Sequence, residues 1–318
     1  MANSDIILPS AVIGLGVAGV GAAVYLSRMG VQPVGFEFGP IGGLVNEAPR
    51  VDDYPGFKGT GNELSKKLAA QLAENQIEVI KEKVTGLSRT PKGVFAIQTD
   101  HAVYRAYAVV VATGMRFLTP DIAGMQDIDP SFVSHADVSD APLAKGKDVV
   151  VWGFNDRGFQ AAEYLASFAA KVTLVAASLA PVSANVLERV KALNNVRIVL
   201  GAVVKAENFG QGELVTLKTA VGTKEEIRAD KLFVFLDTSW KKPNTEFLAI
   251  REVEDDQGNI AVDSYAKTFI PGLFAAGDVQ QKDLRKISTA ASDGAMAGIM
   301  AYKYVTDLKD SGKIKDME

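Results

Sequence analysis

Hydrophobic and polar positions fall into runs that predict buried strands alternating with helices. The segment 11-AVIGLGVAGVGAAVYLSRMGVQPVGFE-37 opens with an apolar strand, breaks at a glycine turn, continues as an alanine-rich helix and closes with a second strand ending on Glu37. Short unbroken apolar runs bounded by turn residues mark strands covered on both faces, as in parallel sheets. The order strand, glycine turn, helix returns at 148-DVVVWGFNDRGFQAAEYL-165, and another strand follows in 172-VTLVAASLAP-181. Late in the chain, 269-FIPGLFAAGDV-279 supplies a further apolar strand, and a long helix of small residues follows it. Two glycine turns in this setting predict an α/β protein with two Rossmann-like dinucleotide-binding folds, ligands lying at the carboxyl ends of the strands. No internal repeat appears, and the polar end 306-TDLKDSGKIKDME-318 is expected to fray.

Composition narrows the function. A chain of 318 residues is long enough for about two domains of roughly 100–200 residues each. Apolar residues make up 47% and charged residues 23%, and the net charge of −4 leaves no basic excess to attract nucleic acid or an anionic membrane. The absence of cysteine excludes disulfides, thiolate catalysis and thiolate-held metals, and two histidines are too few for a histidine-rich metal site. The opening MANSDIILPSAVIGLG has no basic segment before its apolar run, and no stretch reaches the roughly 20 apolar residues of a membrane span. A cytoplasmic protein is expected.

The first turn carries Gly14, Gly16 and Gly19 in the G-x-G-x-x-G spacing. Gly14 permits the tight turn, Gly16 lets the backbone approach a pyrophosphate, and Gly19 lets the helix pack closely on the strand. The diphosphate then meets a helix N-terminus, and Glu37 stands where an acid accepts hydrogen bonds from an adenosine ribose. A second glycine- and proline-rich stretch, 40-PIGGLVNEAPRVDDYPGF-57, follows at once and has the character of a ligand wall. Gly277 and Asp278 end the late apolar strand, where an aspartate can bind a ribityl hydroxyl. The helix after Lys286 can offer its free N–H groups to the electron-rich pyrimidine edge of a flavin.

At this point the chain resembles the low-molecular-weight thioredoxin reductase family over nearly its whole length. The shared marks are GLGVAG, the glycine pair at 42–43, DDYPGF at 52–57, VVVATG at 109–114, KPNTEFL at 242–248, and GLFAAGDV followed by RKISTAASDGA. The resemblance implies FAD, an inserted pyridine-nucleotide domain and a homodimer. It divides the chain into a discontinuous FAD-binding domain, 1–117 and 247–318, and an inserted NAD(P)H-binding-like domain, 118–246, with hinges near FLTPDIAG and SWKKPNTE. Gly14, Gly16, Gly19 and Glu37 would hold the FAD pyrophosphate and ribose. Gly42, Gly43, Leu44, Asn46, Asp53, Thr113 and Gly114 would line the cofactor. Asp278, after Gly277, would bind ribityl, and Lys286 and Ile287 would face the pyrimidine. Leu44 and Lys286 stand where the family has glutamine, and Asp53 where it has asparagine.

Other departures bear on the chemistry. Ala136 and Ser139 occupy the two positions of the family's redox cysteines, while Val133, Ser134, Asp140 and Pro142 keep register, a pattern of natural loss rather than of engineering. Neither residue can carry a disulfide's electrons. Asp140 is expected to cap a turn. The second turn keeps Gly153 and Gly158 but has Asn155 in the middle, a residue that tolerates the left-handed conformation yet crowds a diphosphate. After the next strand, Ala176-Ala177-Ser178 offers neither the basic residues that hold an NADPH 2′-phosphate nor the acid that NAD sites prefer. Arg157 and Arg189 could compensate in part. Weak NAD(P)H binding, with NADPH no better than NADH, is the expectation. Tyr54 and Trp240 are read as core residues before partner contacts.

The sequence therefore predicts an FAD-dependent oxidoreductase that cannot reduce disulfides through its own cysteines. Electrons would leave the flavin directly for a non-disulfide acceptor: dioxygen, a quinone, a free flavin, or a small electron-transfer protein such as ferredoxin. The alternatives are a flavoprotein fed by a protein donor without nicotinamide, and an FAD-binding protein kept for interaction or sensing. No catalytic residue and no metal site are predicted.

Overall fold

The computed structural model describes residues 6–48, 50–118, 120–209, 212–236 and 241–314. Trp240 and the last four residues lie outside that range. The chain forms two compact units, one made of Met1–Asn46, Val51–Arg116 and Lys242–Glu318, the other of Glu47–Arg50 and Phe117–Lys241.

In the first unit the chain runs β1 (Ile7–Ile13), α1 (Val17–Arg28), β2 (Pro33–Phe36), α2 (Gly61–Glu74), β3 (Glu78–Ile80), β4 (Val84–Arg89), β5 (Phe95–Thr99) and β6 (Val103–Val111). It leaves through β7 (Met115–Phe117). The second unit contains β8 (Val133–Ser134), α3 (Asp137–Asp140), β9 (Asp148–Gly153), α4 (Asn155–Leu165), β10 (Lys171–Ala176), α5 (Ala184–Lys191), β11 (Val196–Asn208), β12 (Glu213–Thr219), β13 (Lys224–Ala229) and β14 (Lys231–Phe235). Strand β15 (Lys241–Pro243) leads back to β16 (Leu273–Ala275) and α6 (Ile287–Asp310) of the first unit.

The first sheet is ordered β3-β2-β1-β6-β5-β4. Strands β1, β2, β3 and β6 run parallel, and β4 and β5 form an antiparallel hairpin on β6. β6 is long enough to serve twice: Val103–Ala106 pair with β5, and Val109–Val111 pair in parallel with β16. On one face α1 and α6 cover Val12, Ala108, Val110 and Phe274. The small residues of α6 have a steric cause. A Cβ on Gly294 would stand 2.1 Å from the Ala18 carbonyl oxygen, and one on Gly298 would stand 2.6 Å from that of Ala22. The helices therefore meet at backbone distance. On the opposite face Ile13, Phe36, Leu87, Phe95 and Leu248 form a second core layer.

The second sheet is ordered β13-β12-β11-β10-β9-β14-β8, with β8, β14, β9, β10 and β11 parallel and β11, β12 and β13 an antiparallel meander. Helices α4 and α5 cover one face through Phe159, Leu165, Val186 and Val190. Both units thus meet the expectation of Rossmann-like α/β folds. The expectation of a frayed end from residue 306 is corrected: α6 continues to Asp310, and Ile314 is buried at 8% exposure against the first core. The polar stretch holds two apolar residues that pack on that core, Leu308 within the helix and Ile314 beyond it. Among the described residues no helix is long and apolar enough to cross a membrane.

Candidate cofactor sites

The first turn shows which of its glycines the protein itself requires. Gly14 has φ +89°, and a Cβ there would lie 2.6 Å from the Ala112 carbonyl oxygen. A Cβ on Gly19 would lie 1.8 Å from the Gly14 carbonyl oxygen. Gly16, the residue before α1, has an ordinary φ of −68°, and its Cβ would find nothing nearer than the Gly42 oxygen at 3.8 Å. No protein contact forbids a side chain at Gly16, so the space it leaves is a cradle that a Cβ would partly fill.

The glycine pair borders this cradle. The Gly42 N–H donates to the Leu15 carbonyl at 2.8 Å, and Gly42 and Gly43 have φ +100° and +57°. A Cβ on Gly42 would strike Ser65 Oγ at 2.1 Å. Asn46 fastens the loop, its Nδ2 donating to the carbonyls of Ile41 at 2.9 Å and Gly43 at 3.0 Å. Leu44 is exposed. Glu37 sits at the end of β2, its carboxylate accepting the N–H groups of Leu15 and Gly39, both at 2.8 Å.

Thr113 and Gly114, after β6, are clamped by Asn244. Thr113 Oγ1 donates to the Asn244 carbonyl at 2.7 Å, and Asn244 returns bonds from its backbone N–H to Gly114 and from Nδ2 to Thr113, each 2.9 Å. Gly114 has φ +63° and open space where a Cβ would be. Gly277, with φ +79°, packs on Ala18 of α1, and half-buried Asp278 follows it. Lys286 precedes α6, but its backbone N–H is already taken by Thr289 Oγ1 at 3.1 Å. The amides that α6 can offer a ligand therefore begin at Ile287. The Lys286 side chain reaches Asp53, Nζ to Oδ2 at 3.1 Å. Two positions that depart from the family pattern thus form one exposed ion pair, which neither residue announced alone.

In the second unit Gly153 and Gly158 pack against each other as the first and third glycines should; a Cβ on Gly158 would lie 2.5 Å from the Gly153 Cα. Asn155 adopts φ +55°, the left-handed conformation expected of it. Its Oδ1 accepts the Arg157 N–H at 3.0 Å, so the side chain folds onto its own turn. Asp156 accepts from both the N–H and the Oγ of Ser183, each at 2.6 Å, and Arg189 donates to Glu163 at 2.9 Å.

Ala136 and Ser139, where the resemblance leads one to expect cysteines, fall at α3, Ala136 preceding it and Ser139 lying within it. Asp140 does not cap a turn through its side chain; it accepts from Ser134 Oγ at 2.7 Å instead. Asp137, which the sequence did not single out, is fully buried and receives two bonds from Arg157, Nη1 at 2.8 Å and Nη2 at 2.6 Å. The Arg157 guanidinium, expected to compensate in part for missing phosphate ligands, is thus paired with a carboxylate of its own unit. Burial pushes the His135 imidazole pKa down, against a weaker upward pull from the Val234 carbonyl at 3.2 Å.

Residues 9–294 match the family model of the pyridine nucleotide-disulphide oxidoreductases. The chain is 33% identical over 321 residues to a thioredoxin reductase of Listeria monocytogenes, covering 98% of each. It is 30% identical over 305 residues to a Clostridium pasteurianum protein named as a 34.2 kDa protein in the rubredoxin operon, covering 92% of this chain and 96% of that one. The crystal structure of Lactococcus lactis thioredoxin reductase, in its FR conformation, superposes with a TM-score of 0.87 at 28% identity, covering 95% of this chain and 100% of that one.

Proposed function

Given that this chain belongs to the pyridine nucleotide-disulphide oxidoreductase family and is a thioredoxin reductase-like oxidoreductase without cysteine, we propose that it is an FAD enzyme that delivers electrons from its flavin to a non-disulfide acceptor. The observation that carries the reading is the cradle at Gly16, bordered by Gly42 and Gly43, in a turn whose other glycines are fixed by packing.

The residues present fit FAD. Gly14, Gly16 and Gly19 with the start of α1 would take the diphosphate, and Gly42, Gly43 and Asn46 would wall it. Glu37 would exchange an amide bond for a ribose hydroxyl. Thr113 and Gly114, held by Asn244, would border the isoalloxazine, with Leu44 and Asp53 nearby. Asp278 after Gly277 would meet the ribityl chain, and α6 from Ile287 would face the pyrimidine. Once bound, FAD supplies the redox chemistry, taking two electrons from a donor and passing them on singly or in pairs. In this reading the FAD-binding domain is the first unit, the NAD(P)H-binding-like domain is the second, and the enzyme works in the cytosol as a homodimer.

Ala136 and Ser139 leave no thiol route, so the acceptor must reach the flavin itself. Ferredoxin- or rubredoxin-like carriers, quinones, free flavins and dioxygen all qualify by chemistry. The rubredoxin operon of one relative favours a small electron-transfer protein. The engaged Arg157 favours a second reading of the donor side, in which a reduced protein rather than nicotinamide supplies the electrons.

Purified protein is expected to carry an oxidised-flavin absorbance band, to form no thiols from oxidised thioredoxin above a free-flavin control, and, once its flavin has been reduced by dithionite or a donor, to pass electrons to a one-electron carrier. Colourless protein that takes up no FAD at micromolar concentration overturns the reading. Anaerobic bleaching by NADH or NADPH, compared with bleaching by a reduced carrier protein, distinguishes the donors.

A further inference from the structure

In the second unit a charged pair lies at the carboxyl end of the sheet. Gly153 and Phe235 end the adjacent strands β9 and β14 in direct register. Open α/β sheets take their ligands outside such carboxyl ends. Arg157 lies there, its guanidinium carbon 4.6 Å from the centroid of the Phe235 ring. Asp137 closes on it from α3 with both carboxylate oxygens. A third bond runs from Arg157 Nη2 to the carbonyl of Glu47, which clusters with the same unit, at 2.6 Å. The guanidinium is thus stacked and bound on three acceptor atoms, with its side chain 31% exposed and that of Asp137 0% exposed.

We propose that Asp137 sets the dinucleotide affinity of this unit: it occupies Arg157 as an internal anion, and a dinucleotide diphosphate binds only by displacing it. The proposal rests on the reading that the second unit keeps a nicotinamide-type turn. Carboxylate and phosphate oxygens use the same two-pronged guanidinium geometry, so they compete for one group. The carboxylate is tethered in the same unit, which gives it a high effective concentration. Displacement also leaves a carboxylate in a fully buried place without its cation, which is unfavourable. The competition acts at the diphosphate, which NADH and NADPH share, so it weakens both alike and is independent of the neutral Ala176-Ala177-Ser178 end.

Calorimetric titration of the full-length protein with NADH, NADPH and ADP-ribose tests this. Asp137→Asn is expected to tighten all three by a similar factor, at least about tenfold, the size of one charge-assisted contact. Unchanged affinities in a folded Asp137→Asn protein overturn the proposal, and so does a gain confined to NADPH. The paired variant Asp137→Leu with Arg157→Met buries no charge and guards against a single variant that fails to fold. It is expected to bind more weakly than Asp137→Asn, because it lacks the freed guanidinium; binding as tight as that of Asp137→Asn shows that the guanidinium is not a ligand and overturns the assignment. No binding at millimolar ligand by wild type and by every folded variant overturns it as well. Flavin content, read on the same samples, reports separately on the FAD assignment, because a colourless protein leaves these affinities measurable.

Discussion

The two glycine turns keep the same outer glycines and differ in the middle. Gly14 and Gly19 in one unit, and Gly158 in the other, are held by backbone contacts that a Cβ would disrupt, and Gly153 is held more loosely, a Cβ there standing 3.1 Å from its neighbours. Gly16 has no such constraint and leaves space, whereas Asn155 fills its place in a left-handed conformation with its side chain bonded back to the turn. Outer glycines therefore report on helix-to-strand packing. The middle position is free of that packing demand. Charge repeats the contrast, since the first turn brings no cation of its own while the second holds Arg157 against Asp137.

The largest expected effect is on that pair. Arg157→Met leaves Asp137 buried without its cation and is expected to cost about 3–5 kcal/mol of stability. Adding Asp137→Leu should recover most of it, as urea unfolding of the two variants would show. Next in size, Gly19→Ala is expected to destabilise by about 1–3 kcal/mol through its clash with Gly14 and to release flavin, measured by melting temperature and flavin content. A melting temperature equal to wild type would break the rule that outer glycines are packing residues.

Gly16→Ala should sharpen the contrast, leaving folding within about 0.5 kcal/mol while weakening FAD by about tenfold through crowding of a charged contact. Asn155→Gly is expected to improve NADH binding less than Asp137→Asn does, because the carboxylate still holds Arg157. The smallest effect concerns pH. The imidazole pKa of His135 is lower in the fold than in the unfolded chain, so the unfolded state binds more protons as pH falls below about 6.5. Its contribution is full above that pH and declines as pH drops through the folded value. His135→Gln should flatten the acid limb of stability against pH.

Much of this was legible in the chain because it depends on local steric needs. A run such as AVIGLG has few foldings other than strand and tight turn, and the small residues from Ser288 to Gly298 foretold a long helix. What escaped were pairings set by tertiary distance. Nothing around Asp137 marks it among its neighbouring acids, and its partner comes from a different strand-turn-helix segment. Asp53 and Lys286 each looked like an isolated departure, though they meet across the first unit. Asn244 was quoted only within a family motif, yet it fastens Thr113 and Gly114. Leu308 and Ile314 were overlooked because two apolar residues six positions apart in a polar tail show no helical periodicity.

The double use of β6 has a consequence for how the chain is born. Half of that strand pairs with β5 as soon as both are made, but Val109–Val111 wait for Leu273–Ala275, which emerge only after the entire second unit has been synthesised. Domains generally fold as units during synthesis, so the later-encoded unit is expected to be complete while the earlier one still presents an unpaired strand edge. Pulse proteolysis of chains stopped after Pro243 should find 117–241 protected and 6–111 cleaved. Until β16 arrives, the nascent protein carries an adhesive margin of bare amide and carbonyl groups on its oldest segment, which makes the interval before residue 275 its period of greatest exposure to aggregation.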